Sequence, residues 1–462
     1  MIAEGSIIGV LRSNGSVTTV QVYGHTRYSL QIRLAKVPSF AVPFVADGFV
    51  IELDGKKIEL GRCRMLPIES GASAPEYRVL LLDETIDVGD LIGKGRLTVY
   101  DTGLFNLQLI LNQKEKVSHR FKEYSANLTF ELNVYKQFFD DLDRKFRKEP
   151  GPVQDHLHQM ILDREGIAFT EFFEDKVREL DEQTKNFSKD ENEAHGFFFR
   201  RQVWDFILQS AFMLRTNLKP RGYAGDYEMM RMVYENQPFG KTIFSRLLHS
   251  YPLRIPAADA VRNRRKMISD EIRDEMYRHY DSEFRIMSVA CGPAEEIGDA
   301  FEEVTEMENV HFTLLDQDME ALRMAMDNVE RLEKEKGFSI NVNYINDSVR
   351  SMLRIRNLAK EWGHFDFIYS MGLFDYLTPP VAKAVLARLF ELLRPGGRLI
   401  VGNFHVRNPD KAFMEYWLDW VLYHRTEEEM LALTENLPAH YNRIFFEGTG
   451  CQMFMELRAP DR

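Results

Sequence analysis

Small and acidic residues follow three consecutive apolar runs in the last third of the chain. The first run is followed by Ala290, Cys291, Gly292, Pro293, Ala294 and Glu295, the second ends in Asp316 with Gln317 after it, and the third is followed by Asp347 and Ser348. Small side chains at a strand end let the backbone turn tightly and approach a ligand. A carboxylate after the next strand can accept hydrogen bonds from both hydroxyls of a ribose, and a third acid can meet an adenine amino group. Together these residues predict a nucleoside site.

Each of these residues also has a local explanation. The turn at 290–294 is typical of any tight connection from a strand to a helix, and Asp316 or Asp347 could cap the helix that follows it. A nicotinamide cofactor would use a similar turn and a similar ribose carboxylate. However, the G-x-G-x-x-G pattern of a nicotinamide site is absent from this stretch.

The elements that must position these residues alternate between strands and helices. Seven runs predict strands at 285–291, 311–316, 340–346, 365–371, 397–404, 442–448 and 451–458. The first five alternate with helical patterns, which predicts a parallel, doubly wound α/β sheet covered on both faces. The last two are close enough for a hairpin, which is foreign to the usual dinucleotide fold. We expect residues 284–462 to form this seven-stranded, Rossmann-like domain.

Two regions of different character precede this domain. Residues 1–112 carry short β-rich runs and predict a small barrel or sandwich. A cyclic-dinucleotide barrel is one option, but its paired arginines and D-x-S-x-x-G motif are not evident, so we expect a structural role or docking of a partner, a second copy of the chain included. Residues 113–283 carry long helical patterns, broken by Pro-Gly-Pro at 150–152, and predict a helical substrate or cap region.

Composition narrows the class of protein. A net charge of −12 argues against a general nucleic-acid binder. Cys63, Cys291 and Cys451 are widely spaced and odd in number, so we predict a reducing compartment, with neither a disulfide framework nor a metal site. No signal-peptide core and no apolar run of about 20 residues occurs, so we expect a cytoplasmic protein without a membrane span.

The chain resembles class I S-adenosylmethionine-dependent methyltransferases over residues 284–458. Their first turn is similar to the run ACGPAEE, their ribose and adenine acids match Asp316 and Asp347, and their L-x-P-G-G turn matches the run ending at Gly397. The resemblance implies S-adenosyl-L-methionine as cofactor. The loop from Ser370 to Tyr376, which begins with Ser370, Met371 and Gly372, follows the fourth, central strand, so we expect it near the transferring methyl and the cofactor.

One position departs from the methyltransferase pattern. Ser288 stands where an acidic residue is common. Glu295 or Glu296 could replace that acid at the amino group of the methionine moiety.

Three further runs narrow the resemblance. The runs KPRGYAGDYEM at 219–229, YSMGLFDYL at 369–377 and DWVLYHR at 419–425 are similar to bacterial methyltransferases associated with 3-hydroxypalmitic acid methyl ester, a quorum-sensing signal. This resemblance implies a small-molecule substrate and methyl transfer to the carboxyl oxygen of a 3-hydroxy fatty acid. Two alternatives stay open: a methyltransferase for another small molecule or a protein, and a cofactor-binding regulator that has lost catalysis.

The candidate catalytic residues lie around these runs. Arg221 could bind both oxygens of a carboxylate through its planar fork. Tyr223, Asp226 and Tyr227 would bring polar groups beside a Met-rich helix, and His405 lies just beyond the fifth strand. A carboxylate acceptor needs no general base, whereas a hydroxyl or amine would give its proton to His405, Asp226 or a tyrosine.

Structural roles are open for the same side chains and for two other groups. The 219–229 run could be a buried connection between helices, and His405 could pack in the core or cap a helix. The basic run 262–266 predicts a solvated helix face, although it could also serve a carboxylate. His156 and His158 stand two apart and predict surface side chains.

Overall fold

The computed structural model describes residues 7–13, 16–25, 29–34, 44–53, 56–68, 76–82, 114–301 and 309–461. The chain divides into two compact units, Met1–Gln113 and Lys114–Arg462. The predicted helical region and the predicted Rossmann-like domain therefore lie in one unit.

The described strands of the first unit form one antiparallel sheet with the order β4-β7-β8-β3-β2-β1-β5-β6. Its strands are β1 Ile7–Ser13, β2 Ser16–His25, β3 Ser29–Arg33, β4 Phe44–Ala46, β5 Gly48–Leu53, β6 Lys56–Glu59, β7 Cys63–Pro67 and β8 Glu76–Leu81. Alternation explains them, because Val20 and Val22 are buried whereas Thr19 and Gln21 are exposed. Among the short β-rich runs of residues 1–112, the run at 56–65 is divided between β6 and β7, and the run at 96–101 lies outside the described residues.

The second unit begins with helices. They are α1 His119–Phe146, α2 Gly151–Thr184, α3 Lys189–Gln202, α4 Trp204–Ile207, α5 Ala211–Leu218, α6 Tyr227–Glu235, α7 Ile243–Arg254 and α8 Pro256–Arg278. The side chain of Ser118 caps α1 by accepting the Phe121 N–H, and α2 starts directly after Pro150, as the Pro-Gly-Pro motif predicts. Large aromatic side chains fill the core of these helices, among them Phe121, Phe173 and Trp417.

The rest of the second unit is the seven-stranded α/β domain. Its elements are β9 Phe284–Val289, α9 Glu295–Ala300, β10 Val310–Asp316, α10 Met319–Lys336, β11 Asn341–Asn346, α11 Val349–Arg354, α12 Leu358–Trp362, β12 Phe365–Ser370, α13 Pro379–Phe390, β13 Leu393–Phe404, α14 Lys411–Tyr416, α15 Glu427–Leu431, β14 Tyr441–Phe446 and β15 Gln452–Arg458. The sheet order is β11-β10-β9-β12-β13-β15-β14. Strands β9 to β13 pair in parallel, and β15 and β14 pair antiparallel as the closing hairpin.

This topology confirms the predicted fold class and fixes where a ligand can bind. Strands β10 and β11 lie on one side of β9 in the sheet, whereas β12 and β13 lie on its other side. The direction in which successive strands are added therefore reverses between β9 and β12. Ligands of doubly wound sheets bind at the carboxyl ends of the strands beside such a reversal. One detail differs from the prediction: β13 already begins at Leu393, so the L-x-P-G-G run lies within the strand, where its pairing with β12 is irregular.

Two predictions of exposed polar residues are wrong. His158 is buried, with its Nε2 2.9 Å from a carboxylate oxygen of Asp143, because α2 packs this face against α1 and α7. Arg264, in the basic run 262–266, is also buried. Sequence spacing showed which residues share a helix face but did not show which face would meet another element.

Two features are absent from the described part of the chain. None of its helices is both long enough and apolar enough to cross a bilayer. It also holds no group of three or more His, Cys, Asp or Glu side chains arranged to bind a metal.

Candidate functional site

A cavity of about 370 Å³ opens at the carboxyl ends of β9, β10 and β12, at the reversal of the strand order. Its volume lies in the range of small-molecule sites. One part is lined by the predicted strand-end residues and the other by side chains of α5, α6, α7 and α8 and of the segment around α14.

The turn after β9 gives one wall of the cavity. Ala290, Gly292 and Ala294 have left-handed backbones, with φ of 55°, 56° and 50°. This conformation costs an alanine about 1–2 kcal/mol, and such strain is concentrated at functional sites. Ala290, Cys291, Gly292 and Pro293 line the cavity, whereas the predicted residues Ala294 and Glu295 do not.

Asp316 holds this turn against the end of β10. One oxygen of its buried carboxylate accepts the Gly292 N–H at 2.9 Å, and the other accepts the Asp318 N–H at 2.9 Å. A carboxylate offers about four acceptor positions, so roughly two stay available toward the cavity. The alternative that Asp316 caps α10 is wrong, because Asp318 is the N-cap and accepts the Glu320 N–H. Gln317 is exposed at the cavity edge.

Asp347 and Ser348 line the cavity at the end of β11. The Asp347 N–H donates to the Asp316 carbonyl at 3.2 Å, which ties the two strand ends together. Ser348, and not Asp347, caps α11 by accepting the Ser351 N–H. The Asp347 carboxylate accepts the N–H of Ser348 at 2.7 Å. The alternative that Asp347 caps this helix is therefore wrong, because Ser348 is the N-cap.

The loop after β12 lies between the two parts of the cavity. Met371, Gly372, Leu373, Asp375 and Tyr376 line the cavity, in agreement with the expectation for this loop. Ser370 does not, because its hydroxyl donates to the Val289 carbonyl at 2.8 Å and ties β12 to β9. Burial raises the pKa of the Asp375 carboxyl to about 6.

Glu296 is the acid that lines the cavity near Ser288. Its carboxylate is buried and accepts the Tyr369 hydroxyl at 2.8 Å, and burial raises its pKa. Glu295 points elsewhere, 3.5 Å from the Arg265 guanidinium, and does not line the cavity. Of the two acids that could replace the one missing at Ser288, the geometry favours Glu296.

Replacing Glu296 with glutamine should therefore weaken binding of a cationic ligand in this cavity. A hydrogen bond to a charged group contributes about 1.5–3 kcal/mol, so we expect roughly a tenfold or greater loss of affinity for S-adenosyl-L-methionine in calorimetry. Glu295→Gln is the matched control and should stay within about twofold of the wild type. Equal affinities of the Glu296→Gln variant and the wild type would contradict the assignment.

The candidate catalytic residues are divided by the structure. Arg221, Tyr223 and Tyr227 line the cavity, but Asp226 and His405 do not. Asp226 is fully buried and caps α6 by accepting the Met229 N–H. It also forms an ion pair with Arg215 at 2.7 Å. His405 is buried, with its Nε2 2.9 Å from a carboxylate oxygen of Glu427.

Arg221 closes the cofactor side of the cavity. Its guanidinium lies 2.9 Å from Asp318 and donates to the Tyr227 hydroxyl at 3.3 Å. It also covers the Tyr227 ring, 4.9 Å from its centre. Its charge is thus already paired beside the end of β10.

Two side chains that line the cavity were not among the candidates from the sequence, namely Tyr234 on α6 and Trp420, whose indole N–H donates to the Tyr376 hydroxyl at 2.9 Å. Arg264 and Arg265 on α8 also line it, and the sequence offered them only as members of the basic run 262–266, with a solvated face as the expected role. For Arg264 a signal was present, because it interrupts an apolar stripe on α8. For Trp420 the signal was its place in the 419–425 run.

The described lining fits the cofactor that the resemblance implies. Acids Asp316, Asp347 and Glu296 are suited to a ribose diol, an adenine amino group and an ammonium group. The left-handed turn brings backbone of 290–293 to the cavity, and Val289, Leu315 and Leu373 provide apolar contacts for a base. The three buried or half-buried acids also favour a ligand that carries positive charge.

Comparison with known proteins supports this description. Residues 286–397 match the family model of the methyltransferase domain. No curated protein matches the chain in sequence.

Solved structures that resemble the chain do so at low identity. A "possible exported protein" from Bordetella parapertussis is 18% identical, covering 64% of this chain and 97% of its own, with a TM-score of 0.42. Magnesium protoporphyrin IX methyltransferase from Synechocystis PCC 6803 is 9% identical, with 44% and 86% covered and a TM-score of 0.33. N-methyltransferase NodS from Bradyrhizobium japonicum WM9 is 14% identical, with 41% and 87% covered and a TM-score of 0.28. Similarities this low carry no information about the substrate of this chain.

The family match covers β9 to the start of β13, the segment that supplies the strand-end turn, Asp316, Asp347 and the loop after β12. The chain therefore carries a class I methyltransferase domain, and its cofactor is S-adenosyl-L-methionine.

Proposed function

We propose that the protein methylates the carboxyl oxygen of an acceptor with a long apolar chain, of the 3-hydroxy fatty acid class, and so forms a methyl ester signal. The observation that carries the proposal is the second part of the cavity. Helices and the segment around α14 line it with apolar side chains, among them Phe212, Val233, Ile255, Val261, Met414 and Leu422. This apolar part is continuous with the cofactor part, as an acceptor with an apolar chain requires.

The chemistry of a carboxylate acceptor agrees with the residues present. When bound, S-adenosyl-L-methionine supplies an electrophilic methyl group on a sulfonium sulfur. A carboxylate is already ionised at neutral pH, so the chain needs to hold and orient it rather than remove a proton. The candidate bases Asp226 and His405 are paired with Arg215 and Glu427 and do not line the cavity. Methylation of a carboxylate does not require either of them.

A group of packed aromatic side chains forms part of the cavity wall. Tyr376 and Trp420 are joined by a hydrogen bond at its wall, and the Tyr223 ring meets the Tyr376 ring edge to face with centres 6.0 Å apart. Aromatic contacts of this kind are stiff and apolar, so they hold a chain and exclude solvent.

A second acceptor class has one observation in its favour. The Asp375 carboxyl is buried beside the cavity with a pKa raised to about 6, which suits a group that takes a proton from a hydroxyl or amine. Its oxygen already accepts the Phe404 N–H at 2.6 Å, so it has less capacity left for a substrate.

An assay with methyl-labelled S-adenosyl-L-methionine tests the proposal. The acceptors are free 3-hydroxy fatty acids, unsubstituted fatty acids of the same length, and the corresponding alcohols. We expect labelled methyl ester from the acids, identified by mass spectrometry, and none from the alcohols. Methyl ether from the alcohols would favour the second class, and no product despite measured cofactor binding would overturn carboxyl methylation.

A further inference from the structure

Among the described residues, three arginines line the cavity, and they differ in how their charges are paired. Arg221 lies 2.9 Å from Asp318, and Arg265 lies 2.6 Å from Asp299. Among the residues that the structure describes, no carboxylate oxygen lies within 4.0 Å of the Arg264 guanidinium. Arg264 is therefore the cavity arginine whose charge is not matched by a close acid.

Arg264 is nevertheless buried, with 7% of its surface exposed. One Nη atom donates to the Met371 carbonyl and to the Gln452 side-chain oxygen, both at 3.2 Å, and the other contacts the Met230 sulfur at 3.4 Å. These partners are neutral, and a thioether is a weak acceptor. A buried guanidinium is costly unless it is paired, so this position favours an anionic ligand.

Asp375, an acid that interacts electrostatically with Arg264, does not remove this preference. The charge of Arg264 lowers the pKa of Asp375, but burial raises that pKa more. Asp375 also interacts with Arg425, and its carboxylate accepts the Phe404 N–H. Asp375 is therefore shared between two arginines and is not a dedicated partner of Arg264.

The location of Arg264 points to the acceptor. Ala257, Val261, Arg264 and Ile268 line the cavity from one face of α8, at spacings of a helical stripe. Arg264 comes after the apolar residues Ala257 and Val261 in this stripe. Its guanidinium lies against the Met371–Gly372 segment, because a Cβ added at Gly372 would be 3.3 Å from it. The neighbouring Arg265 instead faces α9 on the cofactor side, through Asp299 and Glu295.

We propose that Arg264 binds the carboxylate of the methyl acceptor and sets it beside the loop after β12, with the apolar chain along Val261 and Ala257. This inference rests on the proposed function. Of the two carboxylate-binding candidates from the sequence, Arg221 and the basic run 262–266, it selects Arg264 in that run, because the Arg221 guanidinium is paired with Asp318. The planar fork of Arg264 can hold a carboxylate through two parallel hydrogen bonds.

The test compares an acid with its alcohol in calorimetry, with S-adenosylhomocysteine present. The probes are 3-hydroxydecanoic acid and decane-1,3-diol, and the proteins are the wild type, Arg264→Gln, Arg264→Lys and the control Lys266→Gln, an exposed cation on the same helix that is paired with Asp270. We expect the wild type to prefer the acid by about 10- to 100-fold, as charged hydrogen bonds predict. Arg264→Gln should abolish the preference by weakening the acid alone, and Lys266→Gln should keep it.

Arg264→Lys keeps the positive charge without the planar guanidinium, so it should lose part of the preference for the acid. It also replaces the glutamine variant in the test if that variant does not fold. Preference retained in both Arg264 variants would overturn the inference. So would a fall in S-adenosylhomocysteine affinity with the preference intact, because Arg264 would then bind the carboxylate of the cofactor. If the wild type binds acid and diol equally, only the inference fails; if it binds neither, the proposed function fails with it.

Discussion

Replacing Asp316 with alanine should lower the affinity for S-adenosyl-L-methionine by about 100-fold or more, because one side chain serves both the ligand and its binding turn. The carboxylate accepts the Gly292 and Asp318 N–H groups, each at 2.9 Å, and roughly two of its acceptor positions stay open to the cavity. Alanine removes all of these bonds and leaves two backbone donors without their partner. Calorimetry with the cofactor measures the loss directly.

Asp366 provides the matched control. Its carboxylate also accepts a backbone N–H, from Arg285 at 2.9 Å, and pairs with Arg394 at 2.9 Å. It lies near the start of β12, at the opposite edge of the parallel sheet from the cavity. Asp366→Ala should lower the thermal stability yet leave cofactor affinity within about twofold of the wild type. Equal cofactor affinity in the Asp316→Ala variant and the wild type would refute the ribose assignment.

The strand-end residues were predictable because their position follows from chain order alone. In a parallel sheet, a residue that ends an apolar run lies at the carboxyl edge whatever the packing around it. The positions of Asp316 and Asp347 in the sequence were therefore enough to predict that both lie at the cavity edge. The cap assignments were less certain, since Asp318 and Ser348 stand one or two residues away and compete for the same helix ends.

Helical side chains could not be placed in the same way. A helix face shows which residues point together, but tertiary packing decides whether that face meets solvent, a core or a cavity. Arg264 and Arg265 are neighbours in sequence and face different parts of the site. Asp226 and His405 have the chemistry of bases, but Arg215 and Glu427, both distant in sequence from the cavity strands, hold them elsewhere.

Gly225→Ala should reduce turnover by about 100-fold while changing cofactor affinity little, because misplacing reacting groups by about 1 Å can cost this much. A Cβ at Gly225 would lie 2.6 Å from the Tyr376 hydroxyl oxygen and closer still to Trp420 Cζ2. Both rings line the cavity and are hydrogen bonded to each other, so neither can move without disturbing the other. Overpacking of this kind also costs about 1–3 kcal/mol of stability.

Gly298→Ala separates this steric effect from a general effect of adding a methyl group. Gly298 lies in α9, and a Cβ there would meet nothing within 4 Å. We expect wild-type turnover in this control, with stability unchanged or slightly raised by the better helix former. The measurement is kcat and KM for the acceptor found in the labelled-methyl assay, alongside calorimetry for the cofactor.

Because the clash is at the acceptor side of the cavity, a loss of cofactor affinity in Gly225→Ala would show that the Tyr376–Trp420 pair supports the cofactor part instead. Wild-type turnover would show that the two rings do not fix the position of the acceptor.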